Sequence, residues 1–189
     1  MIEQKYVRET QREMKETIAC CFSGYRPQKL PWGWNETDPA CTLILERLEE
    51  VIRTAIQSGA RCFYTGMALG TDLWAGEILL RLRKELPETK LRLIAVLPFS
   101  GQASRYPDEW KQRYDRVLEQ ADEVVVLHER SSRSCYMERN RYMVDHADTL
   151  IAVYGGGAGG TKNTLEYAQR RGIRIVTISP ETGEMQIQN

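Results

Sequence analysis

Residues 148–168 read DTLIAVYGGGAGGTKNTLEYA, and they join a short apolar run to a helical pattern through a loop made almost entirely of glycine. The run at 148–155 is rich in β-branched and aliphatic side chains, which is typical of a strand buried on both faces of a parallel sheet. Five glycines occupy the six positions 155–160, and the helical pattern begins near Lys162 and ends before Gly172. A strand, a glycine loop and a helix in this order predict one unit of an open α/β sheet.

The same kind of unit recurs along most of the chain. Five other apolar runs share the character of the first, and helical patterns lie between them. This alternation predicts an α/β fold, a single three-layer domain with a mostly parallel sheet of about six strands and helices on both faces. The five runs are TIACCFS (17–23), ARCFYTG (60–66), KLRLIAVLP (90–98), DEVVVLH (122–128) and IRIVTIS (173–179).

Several residues mark where the helices should begin, end and face. Asp38 and Pro39 are typical N-cap and first-turn residues, and Gly59 is a typical C-terminal stop. Thr71 is expected to cap the second helix. In the fourth helical pattern, one face is expected to pack against the sheet, and it carries Tyr136, Asn140, Met143, Val144 and Ala147. Met137 is also expected in the core.

Domain organisation follows from the even composition of the chain. No linker rich in proline, glycine or serine divides it, so residues 17–189 are predicted to form one domain. Residues 1–16 are charged throughout and are predicted to be an exposed N-terminal extension, helical in part.

Composition excludes several classes of protein. The 26 basic residues balance 26 acidic ones, so no overall field favours nucleic acid or an anionic membrane, although RSSRSCYMERNR (130–141) is a local basic cluster. No apolar run approaches the length of a membrane span, and the charged N-terminal stretch is not expected to act as a secretory signal. Five cysteines without CxxC spacing indicate reduced thiols in a cytoplasmic protein. With only two histidines to supplement them, no metal site is expected.

In an open α/β sheet, ligands bind beyond the carboxyl ends of the strands, and here those loops carry glycine, hydroxyl and arginine residues. The glycine run could cradle an anion at a helix N-terminus, with Thr161 and Thr164 as further donors. It is neither a Walker A motif nor a good match to GxGxxG, and a flexible surface loop is the alternative. The residues of this loop proposed to bind ligand are Gly155, Gly156, Gly159, Gly160, Thr161 and Thr164.

Two earlier loops repeat this pattern. TGMALGTDLWAGE (65–77) contributes Gly66, Gly70, Thr71 and Asp72, and Asp72 either contacts ligand or only balances the helix dipole. The loop after the first strand contributes Ser23, Gly24, Tyr25 and Arg26, of which Arg26 is the best candidate for a phosphate contact. Trp32 and Trp34 either form an aromatic lid over a base with Tyr25 or anchor this long loop to the domain.

Five segments in order, FSGYRPQKLPWG, TGMALGTDLWAGE, LPF, ERNRYMVDHADTLIAVYGG and GGTKNTLEYA, resemble the YpsA-like family of bacterial proteins. That family belongs to the SLOG superfamily, which also contains DprA/Smf-type proteins and the Lonely Guy phosphoribohydrolases. The resemblance, from about residue 17 to residue 180, implies a Rossmann-like fold that binds a nucleotide or nucleotide derivative in a sensing or processing role. Members of the superfamily often associate, so a homo-oligomer is one option.

Comparison with the Lonely Guy pattern raises an enzymatic alternative, a nucleoside 5′-monophosphate N-glycosidase. Arg139 matches the arginine of that pattern, whereas Thr164 stands at the glutamate position and Glu166 lies two residues further on. If the protein is such an enzyme, the catalytic candidates are Arg139, Glu77 and Glu166. The simpler interpretation of Glu77 is that it is a solvated helix residue. Asn140 replaces a lysine of the pattern and is expected to be a site residue or a loop anchor.

Binding of a small nucleotide derivative at the carboxyl edge of the sheet is therefore the preferred hypothesis, since the displaced glutamate favours holding a nucleotide over cutting it. The N-glycosidase is the first alternative. DprA-like binding of single-stranded nucleic acid is the second alternative, and the balanced charge makes nucleic acid the less expected partner.

Overall fold

The computed structural model describes residues 17–189, which form a three-layer α/β fold with a seven-stranded sheet. The predicted N-terminal extension, residues 1–16, lies outside the described residues. The strands are β1 (Ile18–Gly24), β2 (Ala60–Thr65), β3 (Arg92–Leu97), β4 (Glu123–Val126), β5 (Thr149–Val153), β6 (Arg174–Ile178) and β7 (Met185–Gln188). The α-helices are α1 (Pro39–Gln57), α2 (Thr71–Glu85), α3 (Asp108–Glu119), α4 (Cys135–Asp145) and α5 (Gly160–Arg171).

The strand order is β4-β3-β2-β1-β5-β6-β7, and every neighbouring pair is parallel except β6 and β7. The chain runs outward from β1 to β4 and then returns to place β5 on the other side of β1. The order therefore reverses between β1 and β5, which is where open α/β sheets form their ligand crevice.

Helices cover both faces of the sheet, as predicted. One core lies under α1, α2 and α3, with Phe22, Phe63 and Trp74 among its largest buried side chains. The second core lies under α4 and α5 and includes Met143 and Leu165. Since successive strand residues point to opposite faces, Cys20 enters the first core and Cys21 the second.

Three expectations about local structure need correction. The strand β7 was not predicted, because its sequence MQIQ has no apolar run. The expectation that each apolar run is buried on both faces fails at β4, an edge strand whose Val124 and Val126 are 44% and 47% exposed. Thr71 is not a cap: α2 is preceded by Gly70, and the Thr71 hydroxyl donates to the carbonyl of Tyr25 at 3.4 Å.

The boundaries of α1 agree with the sequence. Asp38 caps the helix, its carboxylate accepting the N–H of Ala40 at 2.8 Å. Beyond the last helical residue, Gly59 adopts φ +100°, a conformation that glycine reaches without strain. Within residues 17–189, no helix combines the length and apolar character needed to cross a membrane.

Candidate functional site

A cleft of about 460 Å³ lies beyond the carboxyl end of β1, where the strand order reverses. Its volume lies in the usual range for a small-molecule site. Its walls come from the loop after β1, from the start of α2 and from the facing ends of α4 and α5. The lining residues are Ser23, Gly24, Tyr25, Arg26, Gln28, Lys29, Ala68, Asp72, Tyr136, Arg139, Asn140, Gly160 and Thr161.

The floor of the cleft contains an ion pair between Arg139 on α4 and Asp72 on α2. The Nη1 atom of Arg139 lies 3.2 Å from Oδ2 of Asp72, and the side chains are only 5% and 6% exposed. Burial raises the pKa of Asp72, and the neighbouring guanidinium group of Arg139 opposes that rise. The Nε of Arg139 is buried without a hydrogen-bond partner among the described residues, so one donor of this guanidinium group remains unused.

Two glycines let the backbone approach this floor closely. A Cβ atom on Gly66 would lie 1.2 Å from Nη1 of Arg139, so the arginine occupies the space that a side chain would need. A Cβ atom on Gly24 would lie 2.1 Å from the Thr71 hydroxyl, which packs β1 against the start of α2. Both positions were predicted to contact ligand; Gly24 lines the cleft and Gly66 does not, and each leaves room for one of the protein's own side chains.

The turn between β2 and α2 is braced by several hydrogen bonds. The Thr65 hydroxyl donates to the carbonyl of Asp72 at 2.7 Å and accepts the N–H of Met67 at 3.2 Å. The side-chain amide of Gln102 donates to the carbonyl of Gly66 at 3.0 Å. Met67 is held at φ +56°, a conformation that a non-glycine residue keeps only when its surroundings enforce it. The floor of the cleft is therefore preorganised.

The glycine loop at 155–160 is tied to the loop after β1 through its carbonyl groups. The Tyr25 hydroxyl donates to the carbonyl of Gly156, and Nζ of Lys29 donates to the carbonyl of Ala158 at 3.1 Å. The Tyr154 hydroxyl donates to the carbonyl of Gly157 at 2.7 Å. The bonds from Tyr25 and Lys29 connect the carboxyl ends of β1 and β5, whereas the Tyr154 bond lies within the segment that follows β5.

Several hydrogen-bond donors without partners lie at or near the cleft, around the start of α5 and the end of β1. The helix α5 begins at Gly160, so the backbone N–H groups of its first turn have no acceptor within the helix. Ser23 and Thr161 are only 6% and 9% exposed, and within residues 17–189 neither hydroxyl forms a hydrogen bond. Arg26 is exposed, lies 5.3 Å from the centre of the Tyr136 ring, and forms no salt bridge with another described residue.

Asn140 and Thr164 form an internal chain of hydrogen bonds. The side-chain amide of Asn140 donates to the Thr164 hydroxyl at 2.8 Å, and that hydroxyl donates to the carbonyl of Gly160 at 2.8 Å. Asn140 thus anchors the start of α5, one of the two roles considered for it. The proton of the Thr164 hydroxyl is directed to the protein backbone rather than to the cleft.

The structure does not bring every candidate residue to the cleft. Glu77 pairs with Arg113 at 2.6 Å on the far face of α2, and Arg113 also contacts Glu36. Glu166 is exposed and lies 3.6 Å from Lys162 on the next turn of α5. Both carboxylates therefore lie apart from Arg139.

The other loop candidates take up supporting positions. Gly70 packs its backbone against the carbonyl of Tyr25, where a Cβ atom would be 2.6 Å away, and it adopts φ +85°. Gly155 and Gly156 line a separate depression beside β6 and β7, and Gly159 lies against Lys29.

The aromatic lid is not formed, and this hypothesis needs correction. Trp32 is buried in the first core, and Trp34 packs edge-on against Trp110 at 5.6 Å, so both anchor the loop. Tyr136 and Met137, expected in the core, are 36% and 41% exposed because they lie on the outer side of the first turn of α4.

Sequence reasoning missed four cleft residues. Gln28 and Lys29 lie in a short 3₁₀ turn, and no periodic pattern marks such a turn. Ala68 and Tyr136 carry no charge that would have distinguished them, and only their place next to a glycine loop or a helix start could have suggested them. Within the described part of the chain, no cluster of three or more histidine, cysteine or acidic side chains is arranged to hold a metal ion.

Comparisons with known proteins agree with this architecture. The model of the YspA SLOG family matches residues 20–182. A UPF0398 protein of Bacillus velezensis is 32% identical over 152 residues, covering 79% of this chain and 82% of the relative. The prophage-derived protein YoqJ of Bacillus subtilis, described as uncharacterised, is 33% identical over 146 residues, covering 70% of this chain and 84% of the relative.

Two solved structures of DNA processing protein A share the fold. The Streptococcus pneumoniae protein aligns with a TM-score of 0.58 at 17% identity, covering 88% of this chain and 52% of that protein. The Helicobacter pylori protein, described as binding single-stranded DNA, aligns with a TM-score of 0.58 at 16% identity, covering 88% of this chain and 67% of that protein. At this identity the likeness shows a common Rossmann-like α/β fold.

Proposed function

We propose that this protein, which belongs to the YspA SLOG family, binds a nucleotide or nucleotide derivative through its phosphate group in the cleft beyond β1. One observation carries the proposal. Two residues that are nearly buried, Ser23 and Thr161, line the cleft with hydroxyls that have no hydrogen-bond partner among the described residues, and the N–H groups at the start of α5 lie beside them. A ligand with several acceptor oxygens would supply hydrogen-bond partners for these donors.

Charge favours an anionic ligand. The helix dipole places partial positive charge at Gly160, and Arg26 can present a guanidinium fork to a phosphate at the edge of the cleft. The carboxylate of Asp72, which would repel an anion, is paired with Arg139 beneath the surface. The aromatic ring of Tyr136, which faces Arg26, offers a surface on which a base can stack.

The same geometry favours binding over N-glycosidic cleavage. An N-glycosidase needs a carboxylate that can stabilise positive charge at the sugar or orient water. Among the described residues, Asp72 is the only carboxylate that lines the cleft, and it is engaged with Arg139. Neither Glu77 nor Glu166 lines it.

Single-stranded DNA is the second candidate ligand for the cleft. The Helicobacter pylori structure with this fold is described as binding single-stranded DNA. A strand and a mononucleotide both present phosphate groups, so the same donors would serve either ligand.

The substitution Gly160→Asp tests the proposal at its centre. The space around Gly160 is open within 4 Å of a built Cβ atom, so a side chain fits there. An aspartate at a helix start stabilises the helix but repels a phosphate, whereas Gly160→Asn has the same shape without the charge.

The assay is thermal shift and calorimetry with inorganic phosphate, AMP, ADP, ADP-ribose and NAD. A ligand at 100 times its Kd should stabilise the wild type by about 2.7 kcal/mol. We expect Gly160→Asp and Arg26→Ala to abolish this stabilisation and Gly160→Asn to retain most of it. If none of the five ligands stabilises the wild type, or if both variants respond like the wild type, the proposal is wrong.

Incubation with nucleoside monophosphates tests the enzymatic alternative. We expect no free base. Base release that is lost in Asp72→Asn and kept in Glu77→Gln would instead establish cleavage in this cleft.

A further inference from the structure

A second depression of about 390 Å³ runs between α4 and α5 and joins the cleft. The two share the lining residues Tyr136, Asn140 and Gly160, so the depression adjoins the cleft. We call this depression the arginine groove after Arg133, Arg141 and Arg170, which line it together with Asn163 and Tyr167.

The side chains that line the arginine groove include more positive than negative groups. Arg133, Arg141 and Arg170 are exposed, and none forms a salt bridge with another residue of the described chain. Among residues 17–189, Glu166 is the only carboxylate that lines the groove, and it lies 3.6 Å from Lys162. The chain as a whole has a formal net charge of zero, so this excess is local.

An aromatic ring is held among these charges. The guanidinium groups of Arg141 and Arg170 lie 5.5 Å and 5.8 Å from the centre of the Tyr167 ring. The Tyr167 hydroxyl donates to the carboxylate of Asp145, which fixes the orientation of the ring. The two guanidinium groups lie over this fixed ring, so the cluster combines guanidinium and aromatic planes on which a base can stack with contacts for the adjoining phosphates.

The groove continues the cleft along one face of α5. Gly160, Asn163, Tyr167 and Arg170 follow one another at spacings of three, four and three residues. The ten-residue separation from Gly160 to Arg170 corresponds to about 15 Å along the helix axis. This length is several times the breadth of a phosphate group, so the groove can accommodate more than one unit of a polymer.

We propose that the arginine groove binds the further nucleotides of a single-stranded oligonucleotide whose first phosphate lies in the cleft. The inference rests on the proposed function of the cleft and specifies its ligand class. Tyr167 favours a strand with bases over an acidic peptide, because every base can stack on an aromatic ring.

The experiment measures fluorescence anisotropy of 3′-labelled dT12 with the full-length protein over a series of salt concentrations. The test variant is the double substitution Arg141→Gln/Arg170→Gln. The control is Arg116→Gln/Arg174→Gln, which removes the same charge from exposed positions outside both the cleft and the groove. Circular dichroism and thermal melting check that each variant is folded.

We expect the test variant to bind dT12 at least tenfold more weakly than the control. Its plot of log K against log salt should also be shallower by about 1.4, since each single-strand phosphate contact contributes about 0.7 to the steepness. Tyr167→Leu should weaken dT12 binding by about fivefold or more. AMP affinity, measured by calorimetry, should remain within about twofold of the wild type because the cleft is unchanged.

Three results would overturn the inference without contradicting the cleft proposal. The first is that the test and control variants bind dT12 with equal affinity. The second is that polyglutamate competes as well as unlabelled dT12, and the third is that the wild type binds AMP but not dT12 at low salt. If the wild type binds dT12 through the groove but binds no mononucleotide, the groove is supported and the cleft proposal fails. If it binds neither ligand, both proposals fail.

Discussion

Replacing Arg139 with methionine should destabilise the protein strongly, because it leaves the Asp72 carboxylate buried without its counterion. The two side chains are 5% and 6% exposed, and their charged atoms lie 3.2 Å apart. Breaking a buried pair on one side typically costs about 3–5 kcal/mol. The exposed pair of Arg47 and Glu50, at 42% and 51%, provides a matched control, and Arg47→Met should cost no more than about 1 kcal/mol.

The loss should depend on pH. Burial raises the folded-state pKa of Asp72 above the unfolded value of about 3.9. A raised pKa means that the folded protein holds this proton more tightly, so the contribution of Asp72 to the unfolding free energy falls as the pH rises through the folded-state pKa. Without Arg139 the pKa rises further, and the fall becomes larger and extends to higher pH.

Urea denaturation measures both effects. With an m-value of about 2 kcal/mol/M, a loss of about 4 kcal/mol moves the midpoint by about 2 M. We expect this loss near pH 8 and a much smaller one near pH 4.5, where Asp72 is closer to neutral. A loss below about 1 kcal/mol at pH 8, or an equal loss at both pH values, would refute the role assigned to this pair.

Three further predictions concern other parts of the molecule. Arg113→Met should cost about 1–3 kcal/mol, since Arg113 bridges Glu36 and Glu77, but should leave nucleotide affinity unchanged; loss of ligand binding would contradict this. Asp38→Ala should cost about 1 kcal/mol in urea denaturation and Asp38→Asn much less, and equal losses would exclude capping as the cause. All five cysteines are buried, and burial raises the pKa of the Cys20 thiol to about 12. Ellman's reagent should therefore react with these thiols only after the protein unfolds, and rapid reaction of the native protein would contradict this.

The sheet was predictable because its strands carry a strong local signal. The strands β1, β2, β3 and β5 are nearly continuous apolar runs, and burial on both faces requires such runs. The strand β7 has four exposed residues and pairs along one edge only, so its sequence needs no apolar residue to form it. Pairing with β6 is a tertiary contact that a local pattern does not encode.

The candidate site was predictable in its location but not in its detailed contacts. The topology alone brings the loops after β1 and β5 together, which is why Arg26 and Thr161 meet in one cleft. The burial of Arg139 was not predictable, because its partner Asp72 lies 67 residues away in the sequence. Helical spacing also does not tell whether Glu77 faces the cleft or the opposite side of α2, and it faces Arg113.

The glycine loop explains why so many small residues stand between β5 and α5. Gly156, Gly157 and Gly159 adopt φ values of +110°, +82° and +141°, so the backbone takes turns that other residues reach only with strain. Those turns direct carbonyl groups to Tyr25, Lys29 and Tyr154, and donors of the protein itself thereby occupy the acceptors of the loop. An anion entering the cleft meets the unpaired N–H groups at the start of α5 instead of these carbonyl dipoles. If the cleft binds an anion as proposed, the glycines act on that ligand indirectly, because they orient the backbone so that the cleft presents donors.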